Sequence, residues 1–121
     1  MSINSNAKGK RFELRLAGIL RDYGFQDCRR TAQYCGNTGD AADLVGLPGI
    51  HIEAKHQERL LIYDWIGQAV HDAAEGDLPT VFCTKNYHDI LVVQRLPEWI
   101  TMYRPYFEEI LGRERQCPTG S

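Results

Sequence analysis

Apolar residues recur at helical spacing in three parts of the chain. The first stripe predicts a helix over residues 6–23, ended by Gly24; its members are Phe12, Leu16, Ile19, Leu20 and Tyr23. A second stripe predicts a helix over 60–75, ended by Gly76. After Pro97 the segment "EWITMYRPYFEEIL" has a helical pattern, in which Pro105 should break or kink the helix.

Shorter apolar runs between these segments predict five strands, over residues 25–31, 43–47, 50–55, 80–84 and 90–94. Pro48-Gly49 favours a tight turn, which makes the second and third strands an antiparallel hairpin. The order α-β-β-β-α-β-β-α predicts an α/β fold with a central mixed sheet flanked by helices. We expect one domain over 1–112 and a flexible tail over 113–121.

The third strand carries three polar residues on one face. Strand side chains alternate, so His51, Glu53 and Lys55 lie opposite the apolar Ile50, Ile52 and Ala54. An ordinary ion pair on a half-solvated sheet would explain an isolated E-x-K. Ten residues upstream, however, stands Asp43; if the hairpin brings both carboxylates to one end of the sheet, they form an oxygen-only site suited to Mg²⁺ or Mn²⁺.

Two further residues fit such a site. Lys55 could orient a water molecule or offset charge that builds on a phosphate. Glu13, between Arg11 and Arg15 in the first helix, could supply a third carboxylate. His51 shares the face of Glu53, and it either lies near the metal or is a hydrogen-bonded sheet histidine.

Composition narrows the class of protein. At 121 residues and 43% hydrophobic, the chain suits one core, and its apolar runs are shorter than the roughly 20 residues of a membrane span. With no signal-peptide pattern, we expect a soluble, cytoplasmic protein without a membrane partner. The cysteines (Cys28, Cys35, Cys83 and Cys117) form no C-x-x-C pair and are interpreted as reduced thiols. "GLPG" and "GNTG" lack a P-loop pattern, which argues against a nucleotide cofactor.

Charge is unevenly distributed along the chain. Residues 1–30 hold seven basic side chains against three acidic ones, a balance of +4, while the whole chain has a net charge of -2. One basic surface facing phosphates would explain this split, as would a helix face that merely sits in water. The candidate phosphate contacts are Lys8, Lys10, Arg11, Arg29 and Arg30, together with Asn37 and Thr38 in the loop "QYCGNTGDAA", which is otherwise a plain mobile loop.

These elements, taken in order, resemble the PD-(D/E)XK nuclease superfamily over about residues 8 to 95. The matching residues are Glu13 in "KRFELRLAGIL", Asp43 in "AADLVGL", Glu53 and Lys55 in "IHIEAKH", and Gln68 in "WIGQAVHDA". The chain departs from the family's name at Ala42, where that name has proline, a position without a metal contact in the family pattern. The short length, the "KGKRFE" start and the "GQA" helix look most like Holliday junction resolvases and their phage-encoded relatives.

The resemblance implies a restriction-endonuclease-like core and a Mg²⁺-dependent (or Mn²⁺-dependent) endodeoxyribonuclease. In this pattern Asp43, Glu53 and the Ala54 carbonyl hold the ion, and Glu13 binds a second ion or a metal-bound water. Lys55 positions the attacking water. Gln68 orients that water or Lys55, or contacts the phosphate, although a helical glutamine is often simply solvated.

A resolvase would act on branched DNA as a homodimer, because symmetric cutting of a four-way junction needs two sites related by a two-fold axis. One alternative is another DNA endonuclease of the superfamily, acting on flaps, forks or duplex. The other is a non-catalytic DNA-binding module that retains the fold. Recombination, repair and the debranching of phage DNA would all use the same site.

Overall fold

Within the described residues, the secondary-structure elements follow one another in the predicted order. The computed structural model describes residues 3–31 and 42–116, with side chains over 7–31 and 42–114. The helices are α1 (Ile3–Asp22), α2 (Ile62–Asp72) and α3 (Leu96–Gln116). The strands are β1 (Arg29–Arg30), β2 (Leu44–Val45), β3 (Ile50–His56), β4 (Leu78–Thr84) and β5 (Leu91–Val93). The α/β class and the element order are confirmed.

The five strands form one mixed sheet in the order β1-β2-β3-β4-β5. Only β3 and β4 run parallel, paired along their full seven-residue length from Ile50 opposite Leu78 to His56 opposite Thr84. The other neighbouring pairs are antiparallel, including the predicted hairpin of β2 and β3. A parallel pair needs a crossover, and α2 supplies it between β3 and β4.

Apolar side chains cover both faces of the sheet. On one face α1 packs through Phe12, Leu16 and Ala17 against residues that include Leu44, Ile52 and Ala54. On the other face α2 packs through Trp65, Ile66 and Ala69 against Val81 and Cys83 of β4. The idea of a half-solvated β3 is therefore wrong, because its polar residues His51 and Glu53 are each only 3% exposed.

Helix α2 and strand β1 are both shorter than the sequence predicts. Helix α2 stops at Asp72 because Ala73 turns to an extended conformation (ψ 138°), so Gly76 does not end the helix but lies in the turn before β4. Strand β1 spans two residues of the seven predicted, since it pairs with a β2 that is equally short. The strands β1 and β2 are thus much shorter than the paired strands β3 and β4.

Helix α3 runs through Pro105 without ending, so the predicted break is wrong. Proline lacks the N–H that would bond the carbonyl four residues earlier, here that of Thr101. Thr101 is exposed, so water can satisfy its carbonyl. The helix also continues to Gln116, which makes the first part of the predicted tail helical; residues 117–121 lie outside the described part. None of the described helices is long and apolar enough to cross a membrane.

Gly46→Ala is expected to destabilise the protein by about 3 kcal/mol. Gly46 follows β2 with φ +104°, and an added Cβ would collide with the backbone carbonyl of Asp27 and approach the Cα of Cys28 to 2.8 Å. Gly49→Ala is the matched control, because Gly49 also has positive φ (+88°) but no atom within 4 Å of the new Cβ. It should cost only the conformational penalty of about 1–2 kcal/mol. Urea unfolding of both variants measures the difference; equal losses would contradict the predicted collision.

Candidate active site

Asp43 is fixed in place at the entrance to β2 from three directions. Its backbone N–H donates to the Ile52 carbonyl at 2.8 Å, and its carbonyl accepts from the Thr31 N–H at 3.0 Å. Its carboxylate Oδ2 accepts a third bond, at 2.8 Å, from the backbone N–H of Ala54. The side chain of Asp43 thus extends the hydrogen-bonding ladder between β2 and β3 by one step.

Glu53 and Lys55 lie on the α2 face of the sheet. In the parallel register they stand beside Val81 and Cys83, both members of the core that α2 covers. Leu44 is opposite Ile52 in the antiparallel hairpin, and Asp43, one residue before Leu44, lies close enough to Glu53 and Lys55 for their charges to act on its carboxylate. The structure therefore brings together the aspartate, glutamate and lysine that the sequence singled out.

Burial and two neighbouring carboxylates destabilise the charged form of Asp43. The pKa of Asp43 is raised to about 7, mainly by burial and to a lesser extent by the charges of Glu53 and Glu13. The Ala54 N–H and the Lys55 ammonium act in the opposite direction, but they do not restore the ordinary value. A site with such an excess of buried negative charge favours a bound cation.

A buried histidine orients Glu53. The His51 Nε2 and the Glu53 Oε2 are 2.8 Å apart, and both side chains are almost completely buried. Because they sit two positions apart on one strand, they share a face by alternation. His51 is a hydrogen-bonded sheet histidine, as one of its two interpretations predicts, and this bond restricts the rotation of the Glu53 carboxylate.

Glu13 belongs to the opposite face. Its Oε1 accepts a 2.6 Å bond from the Nε of Arg30, and the pair is mostly buried. Arg30 stands opposite Leu44, whose side chain lies in the core under α1. Glu13 is thus close enough to influence Asp43 but is held by an arginine, and Arg30, predicted as a phosphate contact, is partly engaged by this pair.

The remaining predicted residues lie around this centre. Gln68 is exposed on α2, with no hydrogen bond to the site in the described part of the chain. Lys10, Arg11 and Arg29 are exposed, Arg29 donating to the Asp27 carbonyl at 2.9 Å, and Lys8 forms a 3.4 Å ion pair with Glu58. The predicted contacts Asn37 and Thr38 lie outside the described residues.

The oxygen atoms at this site suit a hard cation, but only two of the donors would be side chains. Among the described residues, no group of three histidine, cysteine, aspartate or glutamate side chains could hold a metal ion. Asp43 and Glu53 are nevertheless close enough for the charge of one to act on the other, and Asp43 Oδ1 and Glu53 Oε1 accept no hydrogen bond from a described residue. The Ala54 carbonyl projects toward β2, as its N–H does. Two carboxylates and one carbonyl are oxygen donors of the type that Mg²⁺ and Mn²⁺ accept.

The described cysteines take no part in this site. Cys28 and Cys83 are free and buried, and burial raises the pKa of both thiols. They therefore remain protonated at neutral pH and pack as small apolar residues. Cys35 and Cys117 lie outside the described part of the chain.

Asp43→Asn is expected to raise the unfolding temperature of the metal-free protein at pH 8, by about 5 °C. The amide oxygen can still accept from the Ala54 N–H, while the buried charge is removed. Because the folded pKa of Asp43 is about 7, against about 3.9 in an unfolded chain, stability is lost as pH rises through this window. The gain should therefore vanish near pH 4.

Thermal unfolding in EDTA across this pH range makes the measurement. Glu75→Gln removes one negative charge from an exposed position and should leave the unfolding temperature unchanged. If Asp43→Asn unfolded below the wild type at pH 8, the fold would be stabilising the Asp43 carboxylate, contrary to its raised pKa.

Comparison with known proteins agrees with this geometry. A family model described as "Phage putative PDDEXK endonuclease" matches residues 4–109, which include all five strands, α2, all but the first residue of α1 and most of α3. Neither a curated protein nor a solved structure matches the chain. The match spans nearly the whole chain and contains every side chain placed at the site above. The chain therefore belongs to the phage PDDEXK endonuclease family, within the PD-(D/E)XK superfamily.

Proposed function

We propose that this nuclease is a Mg²⁺-dependent endodeoxyribonuclease that cuts branched DNA, in the manner of a Holliday junction resolvase, as a homodimer. The observation that supports it most is the grouping of Asp43 and Glu53 across the hairpin with Lys55 on the same face as Glu53. Two carboxylates and an ammonium group in a partly buried site suit the hydrolysis of a phosphodiester.

Asp43, Glu53 and the Ala54 carbonyl would hold Mg²⁺ or Mn²⁺, which when bound polarises the phosphate and lowers the pKa of a coordinated water. The protein's part is to hold these oxygens still before DNA arrives. The Ala54 N–H fixes one oxygen of Asp43, and His51 fixes one oxygen of Glu53. The orientation of both carboxylates is therefore set by neighbours that do not contact the substrate.

Lys55 is the group best placed to act on the water or the phosphate. It is half-buried and forms no ion pair with any described residue, so its ammonium remains available. In the proposed mechanism it orients the attacking water and offsets charge on the phosphate. Gln68 is exposed on α2, and this favours contact with the DNA phosphate over contact with Lys55.

A homodimer is supported by the apolar surface of α3. Trp99 and Tyr103 stack with ring centroids 4.8 Å apart, and Tyr106 and Phe107 lie next to Tyr103. All four side chains are between 38% and 56% exposed, an unusual amount of aromatic surface for one helix. In the proposal, the same face of a second copy covers these rings and relates two active sites by a two-fold axis.

Cleavage of an end-labelled four-way junction, beside duplex, flap and single strand, tests this function in Mg²⁺, Mn²⁺ or EDTA. Metal-dependent nicks placed symmetrically on the junction are the expected result. Equal cutting of every substrate would rule out the junction preference, and no cutting with any metal would rule out the nuclease. Light scattering measures the mass, for which twice 13.8 kDa is expected and 13.8 kDa alone would contradict the dimer.

A further inference from the structure

A cationic groove lies on the α1 face of the sheet, beyond the end of β3. Two cavities of about 580 and 570 Å³ adjoin there, and both are lined by Arg15, His56 and Asn86. One continues along α1 past Lys8 and Arg11, and the other continues along residues 84–89, from the last residue of β4 into the turn that follows it. We call this surface the turn groove. It begins one residue after Lys55 in the chain, since His56 ends β3.

The charges of the turn groove suit an anionic ligand. Arg11, Arg15 and Lys85 all line it, and none of them forms an ion pair with a described residue. The guanidinium of Arg15 lies 5.6 Å from the centroid of the Phe12 ring. This cation–π contact positions the guanidinium but leaves its positive charge in place. Lys8 is paired with Glu58, so the lining of the turn groove holds these three cations without an ion pair against one carboxylate, that of Asp89.

The tip of the turn carries an aromatic ring in an unfavourable position. Among the described residues, Tyr87 is the only non-glycine residue with positive φ (+64°), and its side chain is fully exposed. A bulky residue rarely adopts this conformation, and the ring gains no burial in return. Folding alone does not explain why a tyrosine stands here, whereas contact of its ring with a ligand would.

The turn is held rigidly by its neighbours. The Asn86 N–H donates to the Glu58 carboxylate at 2.8 Å, and the Asn86 side chain lies 3.0 Å from the His56 ring nitrogen. At its other end the Thr84 hydroxyl lies 2.9 Å from the His88 carbonyl. These bonds fix the backbone on both sides of Tyr87, so the turn presents its side chain at the groove before any ligand binds.

We propose that the turn groove binds an unpaired DNA strand, with a base stacked on Tyr87 and phosphates along Arg11, Arg15 and Lys85. Cationic grooves that present an exposed aromatic ring suit single strands, because every base has a flat face to stack. Bases in a duplex already stack on one another and leave the ring without a partner. Given that this chain cleaves DNA as proposed above, the groove would select branch points at which a strand is unpaired.

The test measures binding of a fluorescent 12-nucleotide single strand and of the matching duplex to the full chain in EDTA, so that no cleavage interferes. Tyr87→Asn removes the ring while keeping a residue that tolerates positive φ. It should weaken single-strand binding by about tenfold or more, leave duplex binding unchanged and not lower thermal stability, because asparagine relieves the backbone strain of Tyr87. Tyr87→Phe keeps the ring and should bind as the wild type does.

The control is Tyr23→Asn, at a tyrosine that is 78% exposed but does not line the turn groove. It should change neither affinity. The proposal is overturned if Tyr87→Asn leaves single-strand binding intact, or weakens single-strand and duplex binding equally. Because these measurements need no catalysis, a wild type that cuts no DNA with any metal would contradict the nuclease function while the outcome for the groove still stands.

Discussion

Glu53→Gln is expected to reduce DNA cleavage at least about a thousand-fold while binding to branched DNA survives. The change keeps the shape of the side chain, and an amide oxygen can still accept a hydrogen bond from His51. It removes a carboxylate from the most buried position of the site, where the side chain is 3% exposed. Binding relies on cations such as Lys10 and Arg11, which lie elsewhere on the surface.

Single-turnover cleavage of a labelled junction gives the rate, and a binding titration in EDTA gives the affinity. Glu75→Gln is the control, because it removes an equal charge at an exposed position after α2 and should cut at the wild-type rate. A Glu53→Gln rate within about tenfold of the wild type would show that the proposed carboxylate pair is not the catalytic centre.

Lys55→Met is expected to slow cleavage by about a hundred-fold or more without loss of metal binding. Methionine retains much of the apolar stem of lysine, so packing over Cys83 should be preserved. Only the ammonium is removed, and with it the group that orients the water. Metal binding should survive because the oxygen donors Asp43, Glu53 and Ala54 are unchanged.

Two readouts separate these effects. The rise in unfolding temperature on adding Mn²⁺ reports metal binding, and it should be similar in Lys55→Met and the wild type. Lys10→Met is the matched control, since Lys10 is an exposed lysine on α1 that should affect DNA affinity but not the rate on saturating DNA. If Lys55→Met instead lost the Mn²⁺ effect and kept its rate, Lys55 would support the metal site rather than the chemistry.

The sequence predicted most of the fold because its periodic segments are long and local. The alternation in β3 located that strand to within one residue, and the apolar stripe located α1 with an error of three residues at its N-terminus and one at its C-terminus. Errors occurred where a single residue was used as a stop signal. Gly76 does not end α2, because Ala73 already turns to an extended conformation. Pro105 does not break α3, because water can satisfy the exposed Thr101 carbonyl.

The site was predictable where its residues share one hairpin. Asp43, Glu53 and Lys55 could be grouped from strand alternation and a turn signal. The ion pair of Glu13 with Arg30 could not, because it joins residues 17 positions apart through the packing of a helix on a strand. The same is true of the turn groove, which unites α1 with the segment after β4 and has no local sequence pattern.

The two halves of the sheet differ in stiffness, and this has a consequence for engineering. Glu53 and Lys55 are carried by a seven-residue strand that is paired along its full length, while Asp43 stands at the edge of a two-residue strand. Strands with so few backbone bonds open locally at little cost, whereas the central pair opens only when the whole domain unfolds. A substitution that improves packing between α2 and β4 should therefore raise heat resistance without sharpening the site. The position of Asp43 relative to Glu53 depends instead on β1 and β2. Substitutions that strengthen the pairing of these two short strands should fix the proposed catalytic carboxylates more precisely while adding little to overall stability.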